Sequence, residues 1–219
     1  MDGMIFADRY QAGEKLAERL KKLKLSPKKS IIAAIPRGGV IVAQAICEIL
    51  AIPITCIVIK KLGAPYNPEL AIGATASFGK PVLDRWLLAD LGVSSDYLKK
   101  EIIKKKKEAK AREKFLGQNF SNFKFEDKNV IVVDDGLATG QTSKAAAKII
   151  RAFKPEKLIL ASPCASPQAI ELVKDDYDEI ICLEIDENLM AVGQFFRDFR
   201  PIEDAEVKEI LAGQLTINR

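Results

Sequence analysis

The sequence predicts an α/β protein with a parallel central sheet flanked by helices. Three observations carry that expectation. Short continuous apolar runs recur along the chain, helical patterns lie between them, and turn residues mark the junctions. A strand that is apolar on both faces must be covered on both, and crossover helices between parallel strands supply the cover.

The first run is SIIAAI, Ser30 to Ile35, stopped by Pro36. VIVAQAICEIL, Val40 to Leu50, fits a buried helix. ITCIVI, Ile54 to Ile59, is the second strand, opened by Pro53. NVIVVDD, Asn129 to Asp135, is the third, and a helix is expected over Thr142 to Phe153. KLILAS, Lys157 to Ser162, is the fourth strand, and a helix follows from Pro167 to Lys174 with proline at a favoured start. EIICLEI, Glu179 to Ile185, is the fifth. Two segments interrupt the alternation. Lys60 to Asp84 is rich in Gly and Pro, with a weak strand signal near Ile72 to Phe78, and reads as a long functional connection. Ser94 to Leu116 reads as a helix capped by Ser94 or Ser95 and ended by Gly117. Lys104 to Lys107 is a short low-complexity tract, and no internal repeat is evident.

At roughly 150 residues per domain, 219 residues suit one domain spanning 1–219. Hydrophobic residues make up 48% and charged residues 29%, which excludes disordered, collagen-like and disulfide-framework proteins. Histidine is absent, so no Ser-His-Asp triad, His-ligated metal or imidazole acid/base can be built. The net charge of +4 is concentrated: Leu98 to Lys114 holds nine basic and three acidic residues. That helix reads as a solvated face. It lacks interleaved aromatics, so nucleic acid is not an expected partner. Trp86 and Tyr97 read as packing residues. Cys47, Cys56, Cys164 and Cys182 form no CxxC pair and sit among apolar residues, as expected of buried, reduced thiols in a cytoplasmic protein. No secretion signal is evident at the N-terminus. Val40 to Ile59 contains Gln44, Glu48 and Pro53, and reads as helix, turn and strand, not as a membrane span.

In a parallel sheet of this kind, ligands bind beyond the carboxyl ends of the strands. NVIVVDDGLATGQTSKAAAKII therefore carries most of the functional reading. A buried strand ends in Asp134 and Asp135, a turn of mostly small residues runs from Gly136 through Ala138, Thr139, Gly140 and Gln141 to Thr142, and a helix follows. Backbone N–H groups at a helix start, with the helix dipole behind them, make a phosphate cradle. Thr139 and Thr142 add hydroxyls, and Gly140 lets the backbone approach an anion. Carboxylates repel phosphate, so the acid pair suits sugar hydroxyls or a metal. Together these groups describe a phosphorylated ribose with its diol over Asp134 and Asp135. Arg37, Gly38 and Gly39 follow the first strand, and Lys60 and Lys61 follow the second. Each could be a plain strand-end turn, but their position favours a site. No GxxxxGK[ST] or GxGxxG occurs.

The acid-pair stretch resembles the phosphoribosyl-diphosphate motif of type I phosphoribosyltransferases: apolar strand, two acids, small residues, Thr-Gly-x-Thr. One branch of that family resembles nearly the whole chain. Phe6 to Leu20, the PRGG loop, NPELAIGA, the acid-pair turn and Ala191 to Val207 recur in that order. The resemblance implies a core of about residues 26–60 and 128–186, with a small hood and an inserted basic helix drawn from 1–25, 61–127 and 187–219. It implies transfer of phosphoribosyl from phosphoribosyl diphosphate to a nitrogenous acceptor, a nucleobase or related compound. Mg2+ is the implied cofactor, held mainly through ligand and water. Arg37, Gly38 and Gly39, with Lys60 and Lys61, would face the diphosphate, and Arg112 would lie within reach of a phosphate. Asn67 to Ala74 would be a mobile loop closing over the reaction. Phe6, Phe195, Phe196 and Phe199 would be mostly core, one of them available to stack on an acceptor base. Family members often form dimers, so a homodimer is one expected state. A non-catalytic protein that binds phosphoribosyl diphosphate to regulate a partner is the alternative. Two departures stand out: Lys60 replaces a more usual Arg, and Arg200-Pro201 replaces a commoner Gln.

Overall fold

Alternation along the strands decides which helices cover which side of the sheet. The computed structural model describes residues 6–118 and 124–217. Its main sheet is built from β1 (Ser30–Ala34), β2 (Ile54–Cys56), β6 (Asn129–Val133), β7 (Lys157–Ala165) and β8 (Glu179–Ile185). These five strands run parallel, in the order β2-β1-β6-β7-β8. Ile32 and Ala34 of β1, Ile131 and Val133 of β6, and Ile159 and Ala161 of β7 face one core. Their neighbours Ile31, Ala33, Val130, Val132, Leu158 and Leu160 face the other. A period of two in a fully apolar strand thus builds two cores at once.

Helices α1 (Arg9–Lys21), α2 (Gly38–Leu50) and α7 (Asp204–Ile217) cover the first face. Helices α5 (Gln141–Arg151) and α6 (Pro167–Val173) cover the second. Local chemistry sets their starts. Asp8 accepts the Gln11 N–H at 2.8 Å to cap α1, and Ser166 accepts the Ala169 N–H at 3.0 Å to cap α6. Every predicted core strand is present. The second is shorter than expected, because pairing with β1 ends at Cys56.

Lys60 to Asp84 differs from the sequence expectation. It is an antiparallel sheet of β3 (Lys60–Ala64), β4 (Asn67–Thr75) and β5 (Val82–Leu83), followed by α3 (Arg85–Asp90). The expected mobile loop at Asn67 to Ala74 is strand β4. Its signal was hidden because Ala71, Gly73 and Ala74 lack the branched side chains that mark strands. The small sheet has its own core, Leu62, Ala64 and Ile72, roofed by Leu87, Leu88, Tyr97, Leu98 and Ile102. The last three belong to α4 (Ser95–Phe115), the predicted basic helix, capped by the Ser94 hydroxyl accepting the Tyr97 N–H at 3.2 Å.

Tyr97 packs as expected, its hydroxyl donating to the Gly63 carbonyl at 2.9 Å. Trp86 does not; it is 74% exposed on α3. Phe6, Phe195 and Phe196 form a small buried core with Phe199 packed against it. None of the four cysteines forms a disulfide. Cys182 is only half-buried, against the expectation of full burial. No described helix is long and apolar enough to cross a membrane. Residues 1–5, 119–123 and 218–219, which fall in the expected hood and insertion, lie outside the described residues.

Ile131 sits on the central strand with no exposed surface. Ile131→Ala is expected to cost about 2–5 kcal/mol of stability, read from urea unfolding. A loss below about 1 kcal/mol would contradict its place at the centre of the core.

Candidate functional site

Strand β6 ends at Val133, and the chain then crosses the carboxyl edge of the sheet. Leu137 pins the turn that follows. It is buried, its N–H donates to the Cys164 carbonyl at 2.8 Å, and its carbonyl accepts the Ser166 N–H at 3.0 Å. The Ser166 hydroxyl donates to the Ala138 carbonyl at 2.8 Å. Beyond that anchor the backbone lifts free. Among the described residues nothing accepts from the N–H groups of Ala138, Thr139 or Gly140. Gln141 and Thr142 open α5, where helix geometry leaves further N–H groups unpaired. Gly140 caps the helix at φ +70, a left-handed conformation natural to glycine. Ala138 and Thr139 are exposed. The result is a row of outward N–H groups at the positive end of a helix, suited to a phosphate.

The acid pair lies at the start of the same turn. The Asp135 N–H donates to Asp134 Oδ1 at 3.0 Å, and Asp135 Oδ2 accepts from Arg9 Nε at 2.7 Å. Burial, reinforced by the neighbouring charge of Asp135, pushes the Asp134 carboxyl well above the usual carboxylate range. Arg9 is itself buried. Its Nη1 donates to the Arg200 carbonyl at 3.0 Å, and its guanidinium carbon stands 3.7 Å from the centre of the Phe199 ring. Sequence reasoning missed Arg9. The available signal was its place on the α1 stripe Arg9, Ala12, Gly13, Leu16, Ala17, Leu20, where every other member is apolar or glycine. The doubtful Arg200-Pro201 segment acquires a role here. The Arg200 side chain forks onto Glu206 at 2.7 and 2.9 Å while its carbonyl holds Arg9.

The PRGG loop faces the acids. Gly38 is required by close approach: any side chain there would overlap Asp135 Oδ2. Gly39 packs on the Val133 carbonyl, and Gly136 against Val192. The Pro36–Arg37 peptide is cis. Between this loop and β3 lies a cleft of about 300 Å3, lined among others by Arg37, Lys60, Arg112, Asp134, Asp135 and Thr142. Arg112 reaches it from α4. Its Nη2 donates to Asp204 at 2.6 Å, and its Nε is buried without a partner. Lys61 is not part of this cleft. Successive strand residues point to opposite faces, and Lys61 lines a separate cavity. Three cations, two carboxylates and a free amide row therefore converge. That donor set suits a ligand with one phosphate, a vicinal diol and a second polyanionic group. Among the described residues no cluster of three or more metal-ligating side chains occurs, so a cation here would take most of its ligands from the bound molecule and water.

Residues 4–198 match the family model described as "Phosphoribosyl transferase domain". A Mycobacterium tuberculosis protein provisionally named phosphoribosyl transferase Rv0571c is 34% identical over 209 residues; the match takes in 94% of this chain and 46% of that protein. The chain thus spans about half the length of the curated relatives it matches. The crystal structure of TT1426 from Thermus thermophilus superposes with a TM-score of 0.84 at 32% identity, covering 96% of this chain and 99% of that one. A purine phosphoribosyltransferase from Pyrococcus horikoshii shares the fold at a TM-score of 0.51 and 18% identity, covering 91% and 97%.

A carboxyl raised in the folded state holds its proton more firmly there than in the unfolded chain. The contribution of Asp134 to stability is then fully present at low pH and is lost as pH rises from the ordinary carboxylate range toward its raised value. Asp134→Asn is expected to raise the melting temperature at neutral pH and to flatten its decline between acid and neutral pH. The effect is about 1.4 kcal/mol per unit of the window crossed. Calorimetry across that range checks it; an unchanged slope would contradict a raised Asp134 carboxyl.

Proposed function

The chain belongs to the phosphoribosyl transferase domain family, and from that premise we propose that it transfers phosphoribosyl from phosphoribosyl diphosphate to a nitrogenous acceptor, releasing diphosphate. The observation that carries this reading is the free amide row of residues 138–142 beside an acid pair and a cationic cleft. In the proposed pose the amides and Thr139 hold the 5′-phosphate. Asp134 and Asp135 accept from the ribose hydroxyls. Arg37 and Lys60 face the diphosphate, with Arg112 behind them. Gly38 and Gly39 let the backbone come close to it. Lys61 is left out of the diphosphate set, because it lines the other cavity.

The reaction breaks the bond from the anomeric carbon to diphosphate, and the electron pair leaves with the diphosphate. The lone pair of the acceptor nitrogen forms the new bond, and the nitrogen's proton passes to solvent. The protein's part is electrostatic. Cations fixed at the cleft stabilise negative charge as it develops on the leaving group. Asp135, joined by Asp134 when it ionises, favours positive charge developing at the anomeric carbon. Lys60, the first residue of strand β3, lines the cleft together with Val58 and Ile59 just before it. The oxygens of Asp134 and Asp135 are the protein groups suited to Mg2+, with the rest of its shell from ligand and water. When bound, Mg2+ would neutralise diphosphate charge. No imidazole is needed, in keeping with a chain that has none. The cytoplasm, where free thiols persist, is the proposed setting.

Diphosphate release from phosphoribosyl diphosphate and Mg2+, measured against a panel of purines, pyrimidines and other amines, tests the proposal. Release that depends on an acceptor is the expected result. Tight binding with no release would favour a regulatory binder, and release without an acceptor a hydrolase. Asp134→Asn with Asp135→Asn is expected to weaken binding of phosphoribosyl diphosphate by at least about tenfold. Thr139→Ala is expected to cost about 1 kcal/mol of affinity, the worth of one hydrogen bond. Titration calorimetry reads both, and unchanged affinity in the acid double variant would contradict the assignment.

A further inference from the structure

Lys61 opens onto a second cavity of about 600 Å3 between the antiparallel sheet and α5. It shares Thr142 with the acid-pair cleft, as well as Ile59 at the edge of both, and the other side chains lining it are its own. Four cations converge on it: Lys61, Arg85, Lys144 and Lys148. Lys144 is partly engaged, donating to the Leu172 carbonyl at 3.0 Å and standing 3.8 Å from Asp176. Lys61, Arg85 and Lys148 have no hydrogen-bonding or ion-pair partner among the described residues. One carboxylate, Asp84, shares the rim, and one of its oxygens caps α3 by accepting the Leu87 N–H at 2.9 Å.

Cations gathered in one concavity repel each other, and an anion entering it relieves that repulsion. The apolar lining comes from Ile59, from Ala71, Val82 and Leu83 of the small sheet, and from Ala145 of α5. They suit a flat ring between the small sheet and the helix. Gln141 and Asp84 supply polar groups for a hydroxyl or a ring edge. The volume is within the range of small-molecule sites. We propose that this cavity is a second binding site, taking a small phosphate ester with a flat apolar body, such as a mononucleotide. The inference stands on this cavity; in the test below only the equivalent lost in Thr139→Glu rests on the transferase reading.

Trp86 stands beside the site without lining it and gives an added readout. It is the chain's single tryptophan, it follows Arg85 and it is exposed. The test titrates 5′-AMP into wild type, into Arg85→Glu with Lys148→Glu, and into Thr139→Glu, reading calorimetric stoichiometry and Trp86 fluorescence. Wild type is expected to take up two equivalents and to change its fluorescence. The Arg85/Lys148 variant is expected to lose one equivalent, with affinity at that site down by at least about tenfold, together with the fluorescence change. Thr139→Glu is expected to lose the other equivalent and keep the fluorescence change. Should charge reversal unfold the protein, Arg85→Gln with Lys148→Gln makes the same test. A single equivalent abolished by Thr139→Glu and untouched at Arg85 and Lys148 would overturn the proposal. A Thr139→Glu variant that keeps both equivalents would count against the phosphate cradle and leave this site standing.

Discussion

Two adjacent carboxylates at the end of a buried strand cannot both be charged at low cost, and much of the molecule is arranged around that constraint. Asp135 is matched by Arg9, and Asp134 is half-buried with its carboxyl shifted toward the neutral form. Arg9 is held in turn by the Arg200 carbonyl and the face of Phe199. One ion pair thus ties the first helix, the acid turn and the C-terminal segment together, although they lie far apart in sequence. Breaking a buried pair from one side leaves a charge without a partner, which costs far more than the pair itself contributes. The C-terminal aromatics continue this arrangement. Phe196 stacks on Phe199, whose ring lies against Arg9, and Phe6 and Phe195 pack beside them in one small core.

The phosphate cradle depends on a separate set of hydrogen bonds. Leu137 and Ser166 take up the polar groups at the base of the turn, so the amides above it are left for a ligand. A turn anchored at one residue and open over the next five is rigid without being self-satisfied. Such preorganisation makes an electrostatic site effective, because little rearrangement is needed when charge arrives.

The parallel sheet was legible because its strands are continuous apolar runs, and the acid-pair turn because its residue types are tied to its chemistry. Arg37, Lys60, Asp134, Asp135 and Thr142 were singled out from sequence and line one cleft. Three things were not legible. The antiparallel sheet is written largely in Gly, Ala and Pro, and its buried face is completed only by α3 and α4, which follow it in the chain. Arg9 resembles any arginine on an amphipathic helix until its carboxylate partner, 126 residues away, is known. Lys60 and Lys61 look alike as neighbours, and only the strand's pleat separates their cavities.

The central claim is that the amides of residues 138–142 grip a phosphate while Asp134 and Asp135 hold the sugar attached to it. A crystal structure of the protein soaked with ribose 5-phosphate tests it most directly. The account predicts phosphate oxygens about 3 Å from those amide nitrogens, with the ribose hydroxyls on the two carboxylates. Phosphate bound elsewhere, with the amides at Gly140 turned inward to protein acceptors, would contradict it.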